Sequence, residues 1–422
     1  MNRRGHCLPN NALNWALSFL LKRIHIVFLC LQVLVVSKAA GEEITKTVES
    51  GCSVSVLSQA DIGGGDTESC VGQCFAMVGD ALSYLKKTDC SSTLISIGKG
   101  RYREKIVLDL PGLTLAGIGR DQSHIVHALP AGAAASYDRD GWGTPGSATV
   151  TINASDVVVR NLTIENDFDF LRNDGLEKNN PQREASAQAV ALLLDSKSDR
   201  VLLQGVKLAS HQDTLFARGK RAIVIDSMVT GNVDFIFGSG QVWFENSELI
   251  SRKRGKAISP GTLGGYISAP STQLRDSYGF VFNHCMLGAE QGVPDGSVAL
   301  GRPWHPTRNF SDGRYADPDA VGFVLFANSV FGAHISKRGW TSMRGTNKDG
   351  KKTLVFAPES ARFFEWNNRG PGVHARTQRE REFGLENGGP AKSNMLDILR
   401  GYHVADWADG MKVLDAGSQR ME

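Results

Sequence analysis

Short β-branched runs broken by one polar step recur along this chain about every twenty residues, and that period constrains its fold more than any other feature. The series runs through Val159-Arg160-Asn161-Leu162-Thr163-Ile164, Leu203-Gln204-Gly205-Val206-Lys207-Leu208 and Ile225-Asp226-Ser227-Met228-Val229. Phe244-Glu245-Asn246-Ser247-Glu248-Leu249, Phe282-Asn283-His284-Cys285-Met286-Leu287 and Phe326-Ala327-Asn328-Ser329-Val330-Phe331 continue it. From Leu203 to Ile225 is 22 residues and from Ile225 to Phe244 is 19, while the next steps, 38 and 44, fit one coil plus an inserted loop. A unit this short cannot bury its own apolar side chains, so it must stack on its neighbours. Stacking also pairs the raw strand edges. The pattern predicts a parallel β-helix. A propeller or sandwich would need antiparallel hairpin turns, and these are scarce.

One helix is expected before the solenoid, over residues 75–87, with Phe75, Val78, Ala81, Leu82 and Leu85 on one face. Insertions rich in Gly, Pro, Asp and Asn fall at 166–187, 253–276 and 288–322. They are expected to wall a groove along one side. Met395 to Leu399 reads as a short helix covering the last coil.

The first forty residues stand apart. They hold Arg3, Arg4, Lys22, Arg23 and Lys38 but no acid, and Ile24 to Val36 is an apolar run of signal-peptide length, followed by small residues up to Ala40. A cleaved secretory leader over 1–40 is expected, with an uncleaved anchor as the alternative. Five of the 47 basic residues leave with it, so 42 remain against 44 acidic ones. The basicity belongs to the leader, and nothing points to nucleic acid or, after cleavage, to a membrane. Cys52, Cys70, Cys74 and Cys90 cluster behind it. Two disulfides are expected there in an oxidising compartment, their pairing left open. Cys285, in an apolar strand, reads as a buried free thiol. The chain thus divides into a leader, a cysteine-rich lead-in over 41–74 and a β-helix over 75–422.

Two aspartates interrupt this apolar architecture. Asp213 in His211-Gln212-Asp213-Thr214-Leu215 and Asp234 in Gly231-Asn232-Val233-Asp234-Phe235-Ile236-Phe237-Gly238 lie 21 residues apart. Neighbouring strands are about 4.8 Å apart, so residues one coil apart become lateral neighbours. Two carboxylates that close cannot both ionise easily, and their titrations are pushed apart. One residue type then supplies both an acid and a base. Gln188 lies one coil earlier, 25 residues before Asp213, and Gln212 precedes Asp213 directly. Leu300-Gly301-Arg302-Pro303-Trp304 brings a guanidinium to charge one carboxylate and an indole suited to a sugar ring.

These residues resemble the pectin methylesterase (pectinesterase) family of carbohydrate esterases. The likeness runs from about Phe75 to Gly372 and rests on five ordered motifs: Gly100-Arg101-Tyr102-Arg103-Glu104, the Gln188 run Ala187-Gln188-Ala189, Gln212-Asp213-Thr214-Leu215, Val233 to Gly238, and Leu300 to Trp304. Trp304-His305-Pro306-Thr307 and Ser311-Asp312-Gly313-Arg314-Tyr315-Ala316-Asp317-Pro318 look closer to the bacterial branch than to plant enzymes. The resemblance implies a right-handed, single-stranded parallel β-helix that is secreted, monomeric and free of metal or cofactor, acting on methyl-esterified homogalacturonan (pectin). It assigns Asp234 as nucleophile, Arg302 as its partner, Asp213 as acid and base, and Gln212 and Gln188 as oxyanion donors. Trp304 would stack on the sugar and Thr144 would touch substrate. Phe237, Val233, Arg254, Thr307 and Met343 match groove-lining positions. The family often carries a cysteine bridge within the catalytic coils, near Ile225 and Asn246 here, and this chain lacks it.

His211 next to a Gln-Asp pair suggests a triad, but no Gly-x-Ser-x-Gly elbow accompanies it, so a structural histidine is expected. The acidic stretch from Ser311 to Asp319 lacks an EF-hand spacing and reads as a solvated loop. Asn153, Asn161 and Asn309 head glycosylation sequons, and Asn161 alternatively belongs to a corner ladder. A polygalacturonase or lyase on the same scaffold, or a silent pectin-binding relative, would be the rival functions.

Overall fold

The computed structural model describes residues 51–58, 73–88, 90, 92–137 and 143–374. The leader and the segment at Met395 to Leu399 lie outside the described residues.

The coil around Asp226 shows how the chain winds. Arg221–Ile225 runs straight, turns at Asp226, continues as Met228–Gly231, bends, and runs on as Val233–Gly238. Gln241–Glu245 then starts the next coil alongside the first, with Arg221 opposite Gln241 and Ile225 opposite Glu245. Repetition of this path builds three parallel sheets of 11, 8 and 7 strands, each stacked coil upon coil. The protein is a right-handed parallel β-helix. Strands Gly51–Val56 and Gln73–Phe75, from the lead-in, pair with each other at one end of the largest sheet. Among the described residues no helix is long and apolar enough to cross a membrane.

The polar step of the repeat is a corner in left-handed backbone. Asn161, Asp226, Asn246, His284, Asn328 and Asn367 all have φ between 47° and 55°, and Gly205 has φ 61°. Glycine enters this conformation without strain, and Asn, Asp and His are the other residue types that do so most readily. At two steps the corner side chains bond from one coil to the next: the Asn246 amide donates to Asp226 (2.6 Å) and that of Asn367 to Asn328 (2.8 Å). The next residue forms a second ladder inside the turn. Ser227, Ser247 and Ser329 each donate to the carbonyl two residues back, and Cys285 occupies the same rung as a buried free thiol.

Inward-facing residues fill the solenoid. Phe244, Phe282 and Phe326, one per coil, stack with ring centroids 4.5 Å apart. Each contributes roughly 1.5–3 kcal/mol by burial. The helix caps one end. It spans Val78–Leu85 and buries Val78, Ala81, Leu82 and Leu85. Phe75, expected on that helix, instead ends a strand, because parallel pairing with Val56 uses its backbone. Cys52 pairs with Cys90, and Cys74 is also disulfide-bonded.

Two insertions are clamped together by a partly buried ion pair. Arg254 holds Asp174 through both guanidinium arms at 2.8 and 2.6 Å and also donates to the Gly264 carbonyl. The Ser311–Asp319 stretch, expected to be a solvated loop, contributes half of an antiparallel hairpin instead, Thr307–Phe310 with Gly313–Ala316. Asp312 is tied there by Tyr315 and Lys348. A second hairpin pairs Met343–Gly345 with Leu354–Phe356. The Thr307 and Thr346 hydroxyls, 2.8 Å apart, join the two.

Candidate active site

The smallest sheet carries the two aspartates. Leu215 pairs with Ile236 and Gln212 bridges to Val233, both offsets of 21, so Asp213 and Asp234 occupy equivalent positions on adjacent coils. Both have left-handed backbone, φ 67° and 49°. Such strain is tolerated where the surroundings fix it. Asp213 N–H donates to the Val233 carbonyl at 3.1 Å, and the register beyond Asp234 shifts before Ile236. Gly238 closes the motif with φ 121°; a Cβ there would lie 1.9 Å from the Ala217 carbonyl oxygen. Only glycine lets the coils approach at this point.

The two carboxyls are similarly buried, 8% and 7% exposed, but differently partnered. Arg302 Nε and Nη2 donate to the two oxygens of Asp234 at 2.8 and 2.6 Å, a bidentate pair. The guanidinium lies 3.8 Å from the centre of the Tyr266 ring. The backbone N–H of Arg302 donates to the Ser268 carbonyl, which fixes the corner from which the side chain reaches back. Burial opposes the Arg302 charge, but Asp234 outweighs it and raises the arginine's titration. The Asp213 carboxyl is pushed well above the usual carboxylate range, first by burial and then by the charge of Asp234. Arg302 and a hydrogen bond with Gln212 pull it back only in part.

A cleft of about 580 Å³ opens over the pair, within the range of ligand pockets. Gln188, Gln212, Asp213, Asp234, Arg302, Thr144, Phe237, Trp304, Thr307 and Met343 line it. The structure therefore brings ten of the twelve expected residues into one cavity. Arg254 does not line it, being committed to Asp174, and Val233 is buried between Gln212 and Tyr266 in the strand register. Thr144 starts a tight turn whose Ser147 hydroxyl accepts from Val190 N–H, while the buried Asn166 amide donates to the Ser147 and Val190 carbonyls. Gln188 presents a buried side-chain oxygen that has no protein partner.

Phe216, Pro145, Ala269, Arg314 and Lys352 also line the cleft and were not anticipated. Phe216 was within reach of the repeat, since it pairs with Phe237 one coil on and stacks on it at 4.2 Å. With Trp304, 5.5 Å from Phe237, these rings make an apolar shelf beside the acids. No period leads to Arg314 or Lys352, which arrive from the two hairpins.

His211 is structural in its surroundings. It is buried, stacks on Phe170 at 5.1 Å and meets the Asn232 amide at 3.3 Å. Burial, aided by nearby Arg252, lowers its titration to about 3, so it is neutral near pH 7.

A stacked parallel solenoid with a paired-carboxylate cleft on its flank defines a β-helix protein of the carbohydrate-active kind. The pectinesterase family model matches residues 68–385. The chain belongs to the pectinesterase family. It is 40% identical over 311 residues to pectinesterase A of Dickeya chrysanthemi, covering 73% of this chain and 83% of that one. Against the probable pectinesterase A of Aspergillus flavus, identity is 30% over 308 residues, covering 71% and 76%. The higher identity to the bacterial protein agrees with the bacterial-type motifs. A crystal structure of pectin methylesterase in complex with a hexasaccharide superimposes with a TM-score of 0.72 at 36% identity, covering 81% of this chain and 96% of that one.

Proposed function

We propose that this protein hydrolyses the methyl esters of galacturonate units in pectin, releasing methanol and leaving the polymer backbone intact. The observation that carries this reading is the unequal partnering of two buried aspartates, one clamped by Arg302 and one driven toward its protonated form. Family membership adds support.

An Asp234 oxygen attacks the ester carbonyl carbon, and the carbonyl π electrons move onto oxygen. The Gln188 and Gln212 amides donate hydrogen bonds to that oxyanion, the stabilisation typical of acyl transfer. Asp213 gives its proton to the methoxy oxygen as the C–O bond breaks, and methanol leaves. Asp213, now ionised, takes a proton from water. The resulting hydroxide attacks the acyl carbon, Asp234 departs as carboxylate, and the galacturonate acid is formed. Phe216, Phe237 and Trp304 offer apolar surface to the sugar face and methyl group. Thr144, Thr307 and Met343 line the cleft where neighbouring units would lie, and Arg254 and Val233 support its walls from behind.

The test is direct. Purified protein on highly methylated pectin is expected to release methanol without shortening the chain. New reducing ends without methanol would instead indicate a glycosidase, and unsaturated ends a lyase. Residues 1–40 are read as a secretory leader, so protein recovered from the medium of expressing cells should begin near Gly41. A monomer is expected by light scattering.

A further inference from the structure

Two residues before each aspartate of the pair stands a buried side chain that the ester chemistry does not use, His211 before Asp213 and Asn232 before Asp234. They share the 21-residue offset of the acids and meet one coil upon the next. Asn232 N–H donates to the His211 carbonyl at 2.7 Å. The Asn232 amide nitrogen lies 3.1 Å from the Lys253 carbonyl oxygen and 3.3 Å from His211 Nδ1. A carbonyl can only accept, so the amide turns its NH2 toward Lys253, and its second hydrogen faces Nδ1. Nδ1 therefore keeps its lone pair, and the ring hydrogen sits on Nε2. Burial and then Arg252 hold the ring neutral near pH 7, with Arg254 and Lys253 acting the same way and Asp174 opposing. The ring face is held as well. Phe170 stacks on it at 5.1 Å, and Arg254, itself fixed by Asp174, lies 5.7 Å from the Phe170 ring centre. Neither His211 nor Asn232 lines the cleft.

We propose that His211 and Asn232 are positioning residues, a cross-coil rung that holds the Asp213 and Asp234 turns at the separation their joint chemistry requires. This rests on the esterase reading. Both acids stand in left-handed backbone, φ 67° and 49°, which persists only where the surroundings fix it. Backbone pairing sets the register of the two coils through the Gln212–Val233 bridge and the Asp213 N–H bond to the Val233 carbonyl. The rung adds a side-chain bond directly ahead of each turn. Without the Nδ1 acceptor, one Asn232 amide hydrogen is left unpaired in a buried place, so the side chain must shift to find another partner. The Asp234 turn shifts with it. Asp213 hands its proton to the methoxy oxygen on the carbon that Asp234 attacks, so a change in their separation slows the chemistry itself. Substrate binding is untouched, because neither residue reaches the cleft.

The test follows methanol release from highly methylated pectin. His211→Phe keeps a ring against Phe170 but removes the acceptor. Its kcat should fall about tenfold with KM close to native, since displacing reacting groups by about 1 Å costs up to about a hundredfold. His211→Asn returns an acceptor near the place of Nδ1 and should recover most of the loss. Asn232→Leu removes the donor. Combined with His211→Phe it should lose no more than the worse single variant, because the same bond is broken in all three. A pair that served stability alone would lower the urea midpoint and leave the kcat of folded protein at the native level. A second measurement needs no folded variant of low stability. Nitrogen-15 NMR of the native protein with labelled histidine, His211 identified by its absence in His211→Asn, should show Nδ1 bare and Nε2 protonated at neutral pH. The opposite tautomer, native kcat in His211→Phe, or fully additive losses would each overturn the rung and leave the esterase reading standing. No methanol from the native protein would overturn the esterase reading and the positioning role with it.

Discussion

Two corners of this solenoid place acids in left-handed backbone one coil apart from a polar neighbour, and only one of them is a site. At the outer corner Asp226 is exposed, and the coil above presents Asn246, whose amide donates to it at 2.6 Å. In the cleft, the position above Asp213 is a second acid, Asp234, and both are buried. The backbone conformation is the same, with φ 49° at both Asp226 and Asp234. What differs is the neighbour and the water. An amide over an exposed acid is a satisfied ladder. A carboxylate over a buried acid is unstable unless a cation arrives, and Arg302 reaches back from a later coil to supply it.

Substitutions should separate the two corners, and the largest effect is expected at Asp234. Asp234→Ala should lower kcat for methanol release by more than about a thousandfold, as loss of a nucleophile does. Circular dichroism should still show an intact β-helix, and near-normal methanol release would remove Asp234 from the mechanism. Asp213→Asn should cost about a hundredfold or more, the weight of a lost general acid. It also has a signature in stability. The folded Asp213 titrates above its unfolded value, so the folded state binds more protons, and this contribution is lost as pH rises from the ordinary carboxylate range through the folded value. The Asn variant should therefore resist denaturant better than the native protein at neutral pH. A lower urea midpoint at neutral pH would contradict that account.

Arg302→Lys sharpens the comparison further, because lysine keeps the charge but not the fork. A loss of about tenfold in kcat/KM is expected, equal to one charge-assisted hydrogen bond of about 1.5 kcal/mol. Activity kept at the native level would mean that charge alone suffices. At the outer corner, Asp226→Asn should leave methanol release unchanged and shift stability by no more than about 0.5 kcal/mol. Cys285→Ser should be the mildest of all. Serine already fills that rung at Ser227, Ser247 and Ser329, so a melting temperature close to native is expected.

The solenoid was legible because its period and corner chemistry are local. Asn161, Asp226 and Asn246 announce turns by residue type, and the β-branched runs between them announce strands. The 21-residue offset also placed Asp213 against Asp234, since register in a stacked coil follows directly from spacing. The same arithmetic, applied to Phe237, would have found Phe216 beneath it. Elements outside the period were harder. Phe75 fits a helical face in sequence, yet parallel pairing with Val56 draws it into a strand. The Ser311–Asp319 stretch has loop composition, but half of it pairs across a hairpin. Arg254 matched a groove position, while its Asp174 partner lies 80 residues away in another insertion.

By itself the sequence determined the coil, its corners and the meeting of two aspartates, because each depends on residue type and separation along one repeating path. Residue type and spacing left open which aspartate is clamped; the family resemblance pointed to Asp234, and the tertiary structure shows the clamp itself. That choice needs Arg302, 68 residues beyond Asp234, to fold back onto one carboxylate and not the other. The tertiary structure alone brought Arg314 and Lys352 to the same cleft, since hairpins inserted into a solenoid follow no period.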